Sequence, residues 1–413
     1  MRIDIDRDRF LATLDEQSEF GATDAGGLNR LTLSEADRAV RDWFLEQMDA
    51  AGLSTRIDGF GNMFGRRVGD NPDTEPILVG SHLDSQPYGG RFDGGLGVIA
   101  ALELIRSLND HDIATQRPIE IVNWTNEEGS RFQPAMQGSG VWAGAHTLEE
   151  EYAKTDPDGK ILKDELDRIG YLGDIPAEPG EDYSAYLELH VEQGPYLDEE
   201  DRDVGIVDGI VGISWGAITF RGEADHSGPT PMHYRHDALV GAADVITAIR
   251  RIPGTLGEKT VGTTGYVDVQ PNSINVIPGE VTFTWGFRDP DDDVVDEAFD
   301  RVLEEAEAAA NREGLAWDWE ERMRAPSVDF PDRTVSAVAS ATEDLGYDAK
   351  RMVSGAGHDA THAASVCDTA MVFAVSEDGK SHSEAEYTSP EDCFTAANTL
   401  ANAALDLAEP ITQ

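Results

Sequence analysis

Several polar side chains of this sequence follow apolar stretches, and their types suit divalent metal ions. Three are histidines and the others are carboxylates; they are His82, His190, His382, Asp93 and the adjacent pair Glu127 and Glu128. Imidazole and carboxylate ligands together favour zinc among the common metals. Three histidines with two carboxylates suit two divalent ions that share one carboxylate and one water. The set predicts a hydrolytic metal centre.

Two of these candidates come early in the chain. His82 ends an apolar stretch, and Asp84 two residues later can accept a hydrogen bond from the second ring nitrogen of a metal-bound imidazole. The alternative is an ordinary, partly buried histidine beside an aspartate, which is the commoner situation. Asp93 stands between glycines that let a cation approach closely, but an aspartate at the start of a helix also serves as its N-cap.

Glu127 and Glu128 are adjacent carboxylates directly after an apolar stretch. Consecutive side chains in an extended or turning backbone diverge, so one can bind a metal while the other reaches a bound water. This geometry separates a ligand from a general base. The alternative is a solvated acidic turn, but the apolar residues that precede the pair argue against it.

The elements that must position these residues follow from the apolar patterns. Buried-type strands are predicted at 76–81, 118–124, 185–190 and 369–375, and a mostly apolar helix at about 94–108. Strands that alternate with helices indicate an α/β sheet, whose ligands bind at the carboxyl ends of the strands. All the candidates lie at such ends or just beyond them.

The pattern changes between about 212 and 325. It predicts a strand at 217–221, a helix at 237–252, strands at 260–269 and 280–287, and an amphipathic helix at 292–312. This order suits a small α+β domain inserted into a larger one. We therefore predict one domain from 1–211 and 326–413, and a second from 212–325.

The composition excludes several classes of protein. The 413 residues carry 80 acidic and 32 basic side chains, a formal net charge of −48, which repels nucleic acid and anionic membranes. No apolar run approaches the roughly 20 residues of a membrane span, and the N-terminus lacks a secretory signal. We therefore expect a soluble, cytoplasmic protein, and we expect its only two cysteines, Cys367 and Cys393, to be reduced. Screening by molar salt would relieve the self-repulsion, so a halophilic source is expected, the alternative being a moderately acidic mesophilic protein.

The motifs together resemble the M20 metallopeptidase-type superfamily, and within it the hydantoinase/carbamoylase amidases. These include N-carbamoyl-L-amino acid hydrolases, β-ureidopropionases and allantoate amidohydrolases. The resemblance spans nearly the whole chain. Its most specific stretches are 80–97, 125–132, 190–195, 225–232, 272–289, 354–360 and 381–390.

The resemblance implies a role for each candidate. It implies a dimetal aminopeptidase-like α/β catalytic domain that binds two divalent ions, with zinc expected and manganese, cobalt or nickel as alternatives. Asp93 would bridge the ions, His82 and His190 would bind one, and Glu128 and His382 the other. Glu127 would be the general base, with Asp84 supporting the site.

The inserted domain would be a lid that also forms a homodimer. The resemblance implies that His226 reaches the neighbouring subunit's site and polarises the scissile carbonyl. Asn275 and Arg288 match substrate-binding positions, and a guanidinium suits a carboxylate because it offers a bidentate fork. Gln193 and Gly357 match further substrate-contacting segments.

The predicted function is hydrolysis of the C–N bond of an N-carbamoyl amino acid or related ureido acid, by a metal-bridging hydroxide with Glu127 as base. The small-molecule substrate would carry a carboxylate. One alternative is an M20 exopeptidase or aminoacylase, which would share the metal site. Another is a catalytically inactive binding protein on the same fold, against which the complete set of ligands argues. The sequence leaves the choice among carbamoyl amino acids, ureidopropionate and allantoate open.

Overall fold

The computed structural model describes residues 1–409, which form two compact units. The larger unit comprises Met1–Asp208 and the chain from Phe330 onward, and the smaller comprises Gly209–Asp329. The units change at positions 209 and 330, where the sequence predicts 212 and 326. The last four residues of the predicted catalytic domain, 410–413, lie outside the described residues.

Sixteen strands are found in residues 1–409. They are β1 Ser54–Ile57, β2 Met63–Arg67, β3 Ile77–His82, β4 Ile119–Trp124, β5 Ala185–Val191, β6 Val204–Ile210, β7 Gly212–Arg221, β8 Asp225–His226, β9 Val261–Thr263, β10 Val267–Gln270, β11 Val276–Ile277, β12 Glu280–Asp289, β13 Ala316–Ala325, β14 Val328–Asp329, β15 Ala349–Ser354 and β16 Asp368–Ala374.

Thirteen α-helices accompany them in the same part of the chain. They are α1 Arg7–Ser18, α2 Glu35–Ala50, α3 Gly95–Asp110, α4 Gln137–Trp142, α5 Leu148–Tyr152, α6 Leu162–Ile169, α7 Tyr196–Glu199, α8 Ala238–Arg251, α9 Pro253–Leu256, α10 Asp292–Glu313, α11 Asp332–Leu345, α12 Asp359–Ala363 and α13 Pro390–Leu407. The predicted mixed α/β fold is confirmed.

The sheet of the larger unit has the order β1-β2-β4-β3-β5-β16-β6, with β15 beside β6. Strands β3, β4, β5 and β16 run parallel to their neighbours in this set. They are almost wholly buried because helices cover the sheet, which explains why their sequences are mostly apolar. Their carboxyl ends therefore meet at one edge, with His82 opposite Trp124 and His190 opposite Phe373.

Helix α3 lies against β3 and β5 and begins at this same edge. It is buried along most of its length, which its sequence of Leu, Val, Ile and Ala allows. The residue before it, Gly94, has a φ of +65°, and a Cβ there would lie 2.4 Å from the His82 ring. Only glycine combines that backbone with that close approach. The start of α3 is thus packed directly on a candidate ligand.

The smaller unit contains an antiparallel sheet of order β10-β12-β7-β13, with β9 beside β12. Helices α8 and α10 pack on one face of it. The alternate residues of β12 that face these helices are buried, including Phe283, Trp285 and Phe287, and they join apolar residues of both helices in one core. Burial of this apolar surface stabilises the unit by about 25 cal/mol per Å².

Several elements have no predicted counterpart or differ in extent, among them two in the smaller unit. The strand predicted at 260–269 is two short strands, β9 and β10, because the chain leaves the sheet between Thr263 and Val267, around Gly265. The ten-residue strand β13 has no predicted counterpart. Its sequence is dominated by charged, exposed residues, so it lacks the apolar alternation by which a strand is found.

Candidate metal centre

The parallel strands bring residues from five distant segments together at their carboxyl ends. His82 is the last residue of β3, and His190 is the second-last of β5. Glu127 and Glu128 follow β4, Asp93 precedes α3, and His382 follows β16. All belong to the larger unit.

Asp93 lies between two groups of donors. Its Oδ1 is 3.0 Å from His190 Nε2 and 3.4 Å from His82 Nε2. Its Oδ2 is 3.5 Å from His382 Nε2, which in turn is 3.6 Å from Glu128 Oε2. In each group of three residues the ligand atoms lie within 4.8 Å of one another. One carboxylate thus takes part in two potential metal sites.

The donors fit divalent cations. His82 Nε2 is fully buried and has no hydrogen-bond partner, although it points at carboxylate oxygens. A buried polar atom without a partner is costly, and a metal bond would satisfy it. The opposite nitrogens of His82 and His190 are each 3.0 Å from a backbone carbonyl, of Asp84 and Val191, which fixes the rings. The mixture of nitrogen and oxygen donors suits zinc.

The electrostatics point the same way. Burial raises the pKa of Glu128 well above its usual range, and the charge of Asp93 raises it further. Burial likewise raises the pKa of Glu127, with Asp359 and Glu128 adding to the effect. For Asp93 burial acts in that direction too, but His190 and His82 outweigh it and lower its pKa. Such crowding of buried carboxylates is what a divalent cation would relieve.

Asp84 has a different role from the one its spacing predicts. The second ring nitrogen of His82 bonds to the backbone carbonyl of Asp84, and its distance to the Asp84 carboxylate is 3.7 Å. The carboxylate instead accepts the backbone N–H groups of Glu127, at 3.2 Å, and Glu128, at 3.3 Å. Asp84 therefore orients the turn that carries both glutamates.

That turn is sharp, and it separates the two glutamates. Asn126 has a φ of +56°, a left-handed conformation that asparagine tolerates, and its side chain donates to the Phe132 carbonyl at 2.8 Å. Glu128 is held by Gln86 through its backbone N–H, at 3.0 Å, and its side-chain amide, at 2.6 Å. Glu127 Oε2 lies 3.6 Å from His82 Nε2 and belongs to neither group of three donors.

Three contributors to the centre are not found by sequence reasoning. Gln86 holds Glu128, and Ser381 Oγ lies 3.1 Å from Asp93 Oδ2. Glu386 accepts the backbone N–H of Asp93, and burial raises its pKa to about 7. The only signal for these three residues in the sequence is that they lie within a few positions of His82 or His382. Their residue types give no signal, because glutamate and serine are too common in this chain to stand out.

The predicted substrate residues fall in both units. In the larger unit, the Gln193 amide donates to Asp93 Oδ2 at 3.0 Å, and Gly357 precedes His358, whose ring packs 4.5 Å from that of His190. His226, Asn275 and Arg288 lie in the smaller unit. There His226 pairs with Val276, beside Asn275, while Arg288 lies on β12 with its guanidinium 5.5 Å from the Trp215 ring.

Comparison with known proteins defines the class to which this fold and donor set belong. Residues 78–406 match the model of Peptidase family M20/M25/M40, so the chain belongs to that family. It is 43% identical to the N-carbamoyl-L-amino-acid amidohydrolase of Rhizobium meliloti, over 98% of this chain and 97% of that protein. It is 34% identical to the allantoate amidohydrolase of Escherichia coli K12, over 94% and 95%.

Within that class the particular branch is the hydantoinase/carbamoylase type, which confirms the resemblance. A solved amidase of this type from Burkholderia multivorans has 46% identity and a TM-score of 0.94, covering 99% of this chain and all of that one.

Among residues 1–409, none of the helices combines the length and apolar character that a bilayer crossing requires.

Proposed function

We propose that this chain is a metal-dependent amidohydrolase that cleaves the C–N bond of an N-carbamoyl amino acid or a related ureido acid. The observation that carries the proposal is Asp93, shared by two donor groups beside Glu127, a carboxylate in neither group. The substrate class rests on the names of the similar amidohydrolases. Two divalent ions are expected, with zinc favoured by the donors and manganese, cobalt or nickel as alternatives.

Glu127 performs the proton transfers in this proposal. Divalent cations held at the centre supply Lewis acidity, which polarises the ureido carbonyl and favours loss of a proton from a water. Glu127 accepts that proton, and burial and neighbouring carboxylates raise its pKa above that of a solvated glutamate, which makes it a stronger base. Glu127 then returns the proton to the leaving nitrogen. Asp84 maintains the turn from which Glu127 reaches.

The remaining residues bind and orient the substrate. Arg288 pairs with the substrate carboxylate through its planar fork, and Asn275 and the Gly357 segment contact the substrate. The Gln193 side chain, beside Asp93, adds a further amide. His226 donates a hydrogen bond to the carbonyl oxygen as negative charge develops on it. The inserted unit is proposed to serve as a lid and to form a homodimer, so that His226 acts in the partner's site.

A substrate panel tests this function directly. Purified, zinc-loaded protein would be assayed for ammonia release from N-carbamoyl amino acids, 3-ureidopropionate and allantoate, and for free amino acid from dipeptides and N-acetyl amino acids. We expect turnover of at least one ureido acid and much slower cleavage of the peptides. Turnover of dipeptides or acyl amino acids alone would instead establish the exopeptidase or aminoacylase alternative.

The dimer gives a complementation test. His226→Ala and Arg288→Ala should each have low hydrolytic activity. In the first, the transition state loses about 3 kcal/mol of oxyanion stabilisation. If His226 serves the partner's site and Arg288 its own, a heterodimer of the two mutants carries both lesions in one site and neither in the other. Ammonia release should then recover to about half of wild type, for independent sites whose lids close separately.

The controls use neighbouring residues of the same unit. His233→Ala, also in an exposed position near His226, and Arg221→Ala, on the neighbouring strand β7, should leave activity nearly unchanged. The heterodimer would be isolated by two different tags. A verified heterodimer of folded, metal-loaded chains without recovery would show that both residues serve one chain's site or that His226 is structural.

The charge suggests a salt requirement, consistent with a halophilic cytoplasm. Helix α10 alone exposes six carboxylates, Asp293, Asp296, Glu297, Asp300, Glu304 and Glu307. Molar salt shortens the screening length to about 3 Å, so dilution should restore their repulsion. We expect the thermal midpoint to fall as potassium chloride is lowered from molar to roughly 0.1 M. A flat midpoint would contradict this expectation.

A further inference from the structure

A buried carboxylate outside both donor groups holds the backbone that carries Asp93. Glu386 Oε1 accepts the backbone N–H groups of Phe92 and Asp93, each at 3.1 Å. Glu386 Oε2 accepts from Ser381 Oγ at 2.8 Å, and the same hydroxyl lies 3.1 Å from Asp93 Oδ2. The Glu386 side chain thus connects the segment before α3 to the segment that carries His382.

Gly90 provides the space that Glu386 occupies. A Cβ at this position would lie 1.9 Å from Glu386 Oε1 and 2.0 Å from its Cδ, and the three nearest atoms all belong to that carboxyl group. The φ of Gly90 is outside the left-handed region, so alanine would meet no backbone strain there. The nearest obstacle to a side chain at position 90 is therefore the Glu386 carboxyl group.

We propose that Glu386 is a positioning residue, which sets Asp93 between the two donor groups, and that Gly90 is required because it admits Glu386. This inference rests on the proposed metal centre. Asp93 contributes one oxygen to each group, so a shift of its backbone changes both sites together. The backbone N–H groups of Phe92 and Asp93 are buried, and they need an acceptor.

The competing interpretation is that Glu386 only stabilises the fold. The two interpretations predict different zinc affinities when the Glu386 side chain is removed. A purely structural role would lower the thermal midpoint without a specific effect on Asp93. They also differ in what they predict for the Glu386→Gln variant. An amide oxygen can still accept both backbone N–H groups, and the amide NH₂ can donate to Ser381 Oγ, which leaves the Ser381 hydroxyl free to donate to Asp93.

The experiment measures zinc affinity by competition with a chelator in wild type and four variants, together with thermal midpoints. Glu386→Ala should weaken zinc binding about 10- to 100-fold, the range for groups that orient metal ligands. Glu386→Gln should bind close to wild type. Gly90→Ala should weaken zinc as Glu386→Ala does, since it displaces the carboxylate. The double variant should be no weaker than Glu386→Ala alone, because the obstacle to alanine is gone.

Asp58→Ala provides a matched control. Asp58 is also a buried carboxylate, and it accepts the backbone N–H groups of Phe60, at 2.9 Å, and Asn62, at 3.0 Å, outside the donor groups. It should lower the thermal midpoint and leave zinc affinity unchanged.

Three results would overturn the proposal. The first is that the wild-type protein binds no zinc. The second is that both Glu386→Ala and Gly90→Ala bind zinc as tightly as wild type. The third is that the losses of zinc affinity in the two single variants add fully in the double variant. Should Glu386→Ala fail to fold, Gly90→Ala and Glu386→Gln still decide between the interpretations, since only positioning predicts a loss in the first and retention in the second. Zinc binding is read without substrate, so a failure of the substrate panel is distinguished from a failure of the positioning role.

Discussion

Glu127→Gln should retain both metal ions and lose about 100- to 10,000-fold in turnover of the ureido substrate, the usual range for loss of a general base. Glutamine has nearly the same size, so the turn held by Asp84 and Asn126 should persist. The change removes only the group that accepts a proton. Because Glu127 belongs to neither group of three donors, zinc content should not change. Steady-state ammonia release and elemental analysis of the same preparation would measure both effects.

The matched control is Glu149→Gln, which makes the same chemical change at an exposed position of α5. It should behave as wild type in both measurements. A Glu127→Gln protein with two ions and nearly normal turnover would exclude Glu127 as the base. Loss of zinc together with turnover would instead make Glu127 a ligand.

Asp93→Ala should abolish activity and reduce bound zinc from two ions to none, because both donor groups depend on this carboxylate. Each group would retain only two donors, His82 with His190 and Glu128 with His382. Structural and catalytic zinc sites use at least three protein ligands. Zinc content after dialysis against a weak chelator, followed by assay with and without added zinc, would measure the loss.

Two histidine variants, one in each donor group, make the test specific. His190→Ala removes a donor from the first group and His382→Ala from the second, so each should leave one ion bound. A protein with two tightly bound ions after Asp93→Ala would disprove the shared role of this residue. Equal losses from all three variants would show that the ions bind only as a pair.

Elements with a strong local pattern are predicted from the sequence, whereas elements that depend on long-range pairing are not. The sequence predicts the buried strands β3, β4, β5 and β16 within a few residues, since helices cover the sheet and most of their positions are apolar. Helices α3, α8 and α10 were also predicted closely. Strand β13 was not, because it is exposed and charged, and its conformation depends on pairing with β7 along its whole length.

The candidate site shows the same division. Donor residues could be chosen because histidine is rare in this chain and because the apolar stretches before them mark strand ends. Glu386 could not be chosen, since 80 acidic residues offer no means of distinguishing one buried acceptor from many solvated ones. Asp84 was predicted as a partner of His82, but its backbone carbonyl takes that contact while its carboxylate holds the glutamates.

By itself, the sequence determined which donors are present, their order along the chain and the α/β class, because each depends on residue type and local periodicity. The family resemblance implied how the donors group, and only the tertiary structure gives the distances that place each group together. The sharing of Asp93 depends on the parallel register of β3, β5 and β16, which brings segments hundreds of residues apart within a few ångströms. It also depends on Glu386 and Gly90, whose contact no local pattern encodes, because a hydrogen bond to a backbone N–H leaves no mark in the residue that donates it.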